Sequence, residues 1–167
     1  KQYMENAEKY KKEQDALEQE IQELLQNEGS DEAYGDGQLK WPVPTRSYIS
    51  SYFGWRTLYG RPNYHKGIDI PGSAGTNIVA ADAGKVLKVS KLTYGYGWHV
   101  IIDHGNGVST LYAHCSRLDV SVGDYVEKGQ VVAGIGTTGN STGNHVHFEV
   151  RINGVQQNPL NYVKQPS

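Results

Sequence analysis

The sequence predicts a mainly β domain carried behind an N-terminal helix. Its 167 residues include 20 glycines and 12 tyrosines but only 2 phenylalanines. That composition favours turns and strands over a helical bundle. Apolar residues recur with a helical period only before residue 29, and afterwards short apolar runs alternate with glycine-bearing turns. The length allows one domain with a sizeable core and an accessory segment.

The helical segment is 1–28. It lacks glycine and proline, and Tyr3, Ala7, Tyr10, Gln14, Leu17, Ile21 and Leu24 recur at alternating spacings of four and three. This is a heptad stripe with one polar member, so a coiled-coil segment is expected, pairing with a partner or with itself. Gly29 stops the helix. Residues 29–40 are polar and acidic and read as a linker. Trp41-Pro-Val-Pro44 opens an extended entry into the domain, which is expected over 41–167.

Within that domain Asn77–Ala81 is a short apolar run, and Gly84–Val89 and Trp98–Asp103 read as strands. His104-Gly-Asn-Gly107 is a hairpin turn leading into a return strand, Val108–His114. A turn-rich stretch from Val122 leads to another strand. His145–Ile152 is the strongest strand, closed by the turn Asn153-Gly154. Residues 45–64 and 90–98 carry no readable pattern.

Charge is uneven along the chain. Residues 1–40 hold 5 lysines against 11 acids, and the remainder holds 11 basic against 7 acidic side chains. A domain this weakly basic does not resemble a nucleic-acid binder. Cys115 stands alone, so no internal disulfide forms. No apolar run reaches the roughly 20 residues of a membrane span. No signal peptide is visible, and the chain opens on Lys1, which reads as a fragment lacking any targeting segment it had.

The chemistry-bearing residues are His65-Lys-Gly-Ile-Asp69 and His145-Val-His147. Two imidazoles and a carboxylate are the ligands of a catalytic zinc site that keeps its fourth position for water. On a strand His145, His147 and Glu149 share one face, and Val146, Phe148 and Val150 the other. His65, Asp69 and one of the two strand histidines are therefore expected to bind zinc, leaving the other for proton chemistry. Gly67 is expected to let the backbone bend so that His65 and Asp69 converge. His114, sharing a strand face with Thr110 and Tyr112, is the candidate second proton carrier. His99 and His104 read as structural. Cys115 faces away from its neighbour His114, which excludes a cysteine–histidine nucleophile.

These motifs carry a resemblance. FGWR (53–56), HKGIDI (65–70), GYGWHVIIDHGNGVSTLYAHCSRL (95–118), GDYVEKGQVVAGIGTTGNSTGNHVHFEV (123–150) and NPLNYV (158–163) are similar to the lysostaphin-type, or LytM-domain, zinc endopeptidases. The resemblance implies an antiparallel β-sheet with an open active-site groove. It implies His65, Asp69 and His147 as zinc ligands, and His114 and His145 as catalytic histidines. It implies a peptidoglycan peptide, in stem or crossbridge, as substrate, and an extracytoplasmic location. Tyr59, with Tyr64 as a rival, matches the tyrosine that polarises the scissile carbonyl in some members. Asn144 stands where relatives often have proline, and Cys115 where leucine is common. All five site residues, four histidines and one aspartate, are present, which favours an active enzyme. A helical arm is also a feature of non-catalytic activators and scaffolds of other wall hydrolases, which is the alternative reading. A lipoyl-type carrier, suggested by Gly123-Asp-Tyr-Val-Glu-Lys-Gly-Gln, lacks a lysine in the required turn setting.

Overall fold

A computed structural model describes residues 2–167, with side chains from residue 7 onward. The helix α1 spans Gln2–Glu28, and Gly29 ends it by donating its N–H to the Leu25 carbonyl at 3.0 Å. Of the predicted stripe, Leu17 and Ile21 are buried against Tyr96, Ile101, Leu111 and Ala113. Tyr10 is 53 % exposed and Gln14 is exposed, while Tyr3 lies outside the described side chains. The stripe is thus partly spent on the chain's own sheet. No described helix is long and apolar enough to cross a membrane.

The predicted linker has no regular structure but is strapped down. Ser30 N–H donates to Asp103 Oδ2 at 2.8 Å, Tyr34 N–H to the His104 carbonyl at 2.9 Å, and Lys40 N–H to the Ala81 carbonyl at 2.8 Å. Lys128 Nζ reaches Asp36 at 2.6 Å. A Cβ on Gly105 would run into the Glu32 carbonyl, so glycine is what permits this close approach.

Twelve strands follow: β1 Gly54–Leu58, β2 Arg61–His65, β3 Ile68–Pro71, β4 Asn77–Val79, β5 Gly84–Lys91, β6 Trp98–Gly105, β7 Val108–Ala113, β8 Cys115–Leu118, β9 Tyr125–Val126, β10 Val131–Ile135, β11 His145–Ile152 and β12 Val155–Gln157. A 3-10 turn, Pro159–Asn161, follows the last strand. The main sheet runs β12-β11-β7-β6-β5-β9, with β3 also paired to β11. A second sheet runs β4-β10-β8, and β1-β2 form a separate hairpin. All paired strands are antiparallel. Asn106 and Gly107 both have positive φ, 52° and 79°, as a two-residue type I′ turn requires. The turn Asn153-Gly154 repeats this device and feeds β12.

The core lies between the two sheets. Val146, Phe148 and Val150 of β11, Tyr112 of β7, and Val100 and Ile102 of β6 pack against Ile78, Val132, Ala133, Ile135 and Cys115. Burial pushes the Cys115 thiol up to about 12, as expected of a packing residue. The other face of the main sheet carries the polar side of β11 and receives α1.

His99 lies fully buried in β6, with Nδ1–H donated to the Gly97 carbonyl at 2.9 Å and Nε2 unpartnered. Burial lowers its pKa from 6.5 to about 4. Between these values the unfolded chain binds the proton and the folded one does not, so His99 makes stability rise with pH. Urea unfolding at several pH values between 4 and 6.5 is expected to show this slope. His99→Leu should make it shallower by up to about 1.4 kcal/mol per pH unit. An unchanged slope contradicts the assignment.

Candidate metal centre

The pairing of β3 with β11 builds the site. Asp69 lies directly opposite His147 in that register, and His65 ends β2 beside them. His65 Nε2, Asp69 Oδ1 and His147 Nδ1 form a triangle with edges of 3.1, 3.1 and 3.2 Å. All three residues are buried.

Hydrogen bonds set which nitrogen of each ring faces the triangle. His65 donates Nδ1–H to the Tyr52 carbonyl at 3.0 Å, which leaves Nε2 as a lone pair. His147 donates Nε2–H to Glu149 Oε2 at 2.9 Å, which leaves Nδ1 as a lone pair. With both rings neutral, two lone pairs and a carboxylate oxygen converge, and the set needs a cation between its members, either a proton or a metal ion. Three ligands at about 2 Å from one tetrahedral ion have this spacing, so the residues fit zinc.

A proton can take that place. Burial works against the Asp69 carboxylate, but hydrogen bonds with His147 and His65 outweigh it and hold its pKa well below the usual range. Burial would also lower His147, yet Asp69 and Glu149 hold it up at about 9. Burial would raise Glu149, but Arg151 and His147 bring it down to about 2. The spot attracts positive charge. Arg56 Nη1 stands 3.6 Å from Asp69 Oδ2 and donates to Ser51 Oγ at 2.9 Å, fixing the carboxylate from its other side.

His145 and His114 flank the triangle. His145 donates Nδ1–H to the Gly143 carbonyl at 2.9 Å and turns Nε2 toward Asp69 Oδ1 at 3.6 Å. It is the most solvent-accessible of the four histidines here. His114 donates Nδ1–H to the Thr138 carbonyl at 2.7 Å, and its ring lies 5.0 Å from that of His145. Burial lowers the His114 pKa to about 3, so the ring rests neutral with Nε2 free to accept.

One expectation needs correction and another gains a reason. His114 does not share a face with Thr110 and Tyr112. Strand β7 ends at Ala113, and His114 takes a left-handed conformation, φ 65°, which swings its ring to the opposite face. Tyr112 points into the core, where its hydroxyl meets Thr110 Oγ1 at 2.7 Å and accepts from Ala81 N–H at 3.0 Å. Gly67 stands at a bend between β2 and β3, as expected, and it bends without a positive φ. A Cβ there would stand 2.5 Å from the Phe148 carbonyl and 2.9 Å from the His147 ring, so the glycine also makes room for His147.

Tyr59 is not brought to the cluster. It occupies the β1–β2 turn, 76 % exposed, at the opposite end of the hairpin from His65. Tyr64 packs edge-on against Trp55 and Phe53. His99 and His104 lie outside the cluster. His104 bridges the Ala83 carbonyl and Thr110. Sequence reasoning left Glu149, Arg56 and Arg151 without roles, although Glu149 shares the period-two face of His147 and Arg56 belongs to the FGWR motif.

Residues 63–159 match peptidase family M23. The chain is 39 % identical over 138 residues to an uncharacterized metalloprotease of Haemophilus influenzae, covering 81 % of this chain and 29 % of that protein. It is 44 % identical over 114 residues to the DD-carboxypeptidase/endopeptidase Mpg of Neisseria meningitidis serogroup B, covering 67 % and 26 %. It is 36 % identical over 125 residues to the murein hydrolase activator NlpD of Escherichia coli, covering 75 % and 31 %. The chain thus spans roughly a quarter to a third of these relatives. Among solved structures it is similar to a putative M23 peptidase of Pseudomonas aeruginosa, with TM-score 0.74 and 30 % identity over 90 % of this chain and 62 % of that one. The catalytic domain of lysostaphin from Staphylococcus simulans matches with TM-score 0.64 and 29 % identity, over 70 % and 91 %.

The β sandwich and its His-Asp-His triangle define a metallopeptidase fold. The chain belongs to peptidase family M23.

His147→Ala removes one donor of three and should drop zinc content, measured by atomic absorption after dialysis, well below one per chain. His145→Ala should leave it near one. Equal zinc in wild type and His147→Ala contradicts the ligand set.

Proposed function

We propose that this chain is a zinc-dependent endopeptidase domain that hydrolyses peptide bonds of bacterial peptidoglycan outside the cytoplasm. The observation that carries the reading is the donor triangle of His65, Asp69 and His147, flanked by two imidazoles with free Nε2 atoms. Zinc held by these three side chains would supply Lewis acidity and would make water a competent nucleophile near neutral pH.

The chain's own residues do the rest. His145 Nε2, facing the triangle, takes a proton from water as its oxygen attacks the scissile carbonyl carbon. The imidazolium so formed stabilises the developing oxyanion. His114, buried beside His145, shares this proton and helps return it to the amine as the C–N bond breaks. Arg56 and Glu149 hold the ligands Asp69 and His147 in place. Tyr59 is assigned a substrate contact at the rim, made by the β1–β2 hairpin.

A second reading is an activator or scaffold of other wall hydrolases. The likeness to a murein hydrolase activator and the helical arm support it. In either case the exposed part of α1, with Tyr10 and Gln14, is the segment for a helical partner or a second copy.

The zinc-loaded protein is expected to release new peptide termini from purified peptidoglycan, identified by mass spectrometry, and chelation should abolish this. His145→Ala and His114→Ala should each lower turnover on the order of 10²–10⁴-fold while keeping zinc. Absence of new termini from zinc-loaded wild type would favour the activator, and near-normal turnover in both variants would remove the assigned roles.

A further inference from the structure

The polar face of β11 continues past the metal ligands into a buried ion network that ends on α1. Glu149 Oε2 accepts from His147 Nε2–H at 2.9 Å and from the Tyr96 hydroxyl. Its other oxygen, Oε1, accepts from Arg151 Nε at 2.9 Å. Arg151 is fully buried, and it turns its two terminal nitrogens onto Glu18 of α1, Nη1 to Oε2 at 2.8 Å and Nη2 to Oε1 at 2.9 Å. Gln156 Nε2 adds a donor to Glu18 Oε1 at 3.1 Å. A two-pronged carboxylate–guanidinium pair of this kind fixes direction as well as distance.

We propose that Glu18 is a positioning residue for His147, acting through Arg151 and Glu149, so that docking of α1 sets the strength of the metal site. The inference rests on the metal reading above. With Glu18 in place, Arg151 shares its charge between two carboxylates, and Glu149 keeps enough negative charge to grip His147 Nε2–H. A strong grip orients the ring and makes Nδ1 a better ligand. Without Glu18 the guanidinium keeps Glu149 as its one carboxylate beside the neutral Gly154 carbonyl and Tyr96 hydroxyl, competes with His147 for it, and weakens the ligand on the far side of the ring.

The contact is suited to a graded effect. Its described apolar part is small, centred on Leu17 and Ile21, and much of the remainder is polar. Glu20 supplies an internal comparison, since it pairs with Lys88 at 3.6 Å and has no contact with Arg151 or Glu149 among the described bonds.

The test measures metal, not catalysis. Zinc affinity is determined by competition with a chromophoric chelator, and ligand geometry by the visible absorption of the cobalt(II)-substituted protein. Glu18→Gln is expected to weaken zinc binding about tenfold, the lower end for outer partners of a ligand, and to shift the cobalt bands. Glu20→Gln should change neither. In a Glu149→Gln background, Glu18→Gln should have little further effect, within about twofold, because the path is already cut. The proposal is overturned if Glu18→Gln matches wild type in both readouts, if Glu20→Gln weakens binding as much, or if the effect of Glu18→Gln is undiminished in the Glu149→Gln background. Should Glu149→Gln not fold, the cobalt spectra of the Glu18 and Glu20 variants decide alone. Wild type that binds no zinc would overturn the metal reading itself, whereas normal wild-type binding with an unaltered Glu18→Gln would overturn only the relay.

Discussion

The His147 imidazole is held at both ends, and the rest of the site depends on that. Glu149 takes Nε2–H on one side, and Nδ1 meets His65 and Asp69 on the other. A ring in this position has one orientation, and its Nδ1 is aimed by the fold at His65 and Asp69. The register of β3 against β11 then brings Asp69 opposite, and β2 delivers His65. No single element contains the site. The sheet pairing does.

Holding His147 this way requires a buried carboxylate, and a buried carboxylate needs a counter-charge. Arg151 supplies it two residues along the same face, with its own remaining donors turned onto Glu18 and the Gly154 carbonyl. Removing one member of such a buried pair typically costs about 3–5 kcal/mol, because the other is left uncompensated. The network thus joins stability to chemistry. The side chains that seat the N-terminal helix on the sheet are bonded to those that orient His147.

Much of this was legible in sequence where alternation is strict. His145–Ile152 reads H-V-H-F-E-V-R-I, and the core and polar faces fall out of it directly. The histidines and Asp69 were found by residue type and spacing. Other parts were hidden for physical reasons. Strand β2 reads R-P-N-Y-H, with a proline and no apolar period, because a hairpin outside the main sheets buries little. Strand β3 is four residues long and carries the charged Asp69 among its apolar residues. The face of His114 was misjudged because one left-handed residue breaks the period of two, and a histidine at φ 65° leaves no mark on the pattern. The helix stripe was read for a partner, but a sheet can cover Leu17 and Ile21 as well as another helix can.

The account turns on which atoms hold the ion. Anomalous diffraction at the zinc edge, from crystals of the loaded protein, tests this most directly. The expected result is a single strong peak bonded to His65 Nε2, Asp69 Oδ1 and His147 Nδ1, with His147 Nε2 still on Glu149. A peak bound through His147 Nε2, or one lying away from these three side chains, would contradict it.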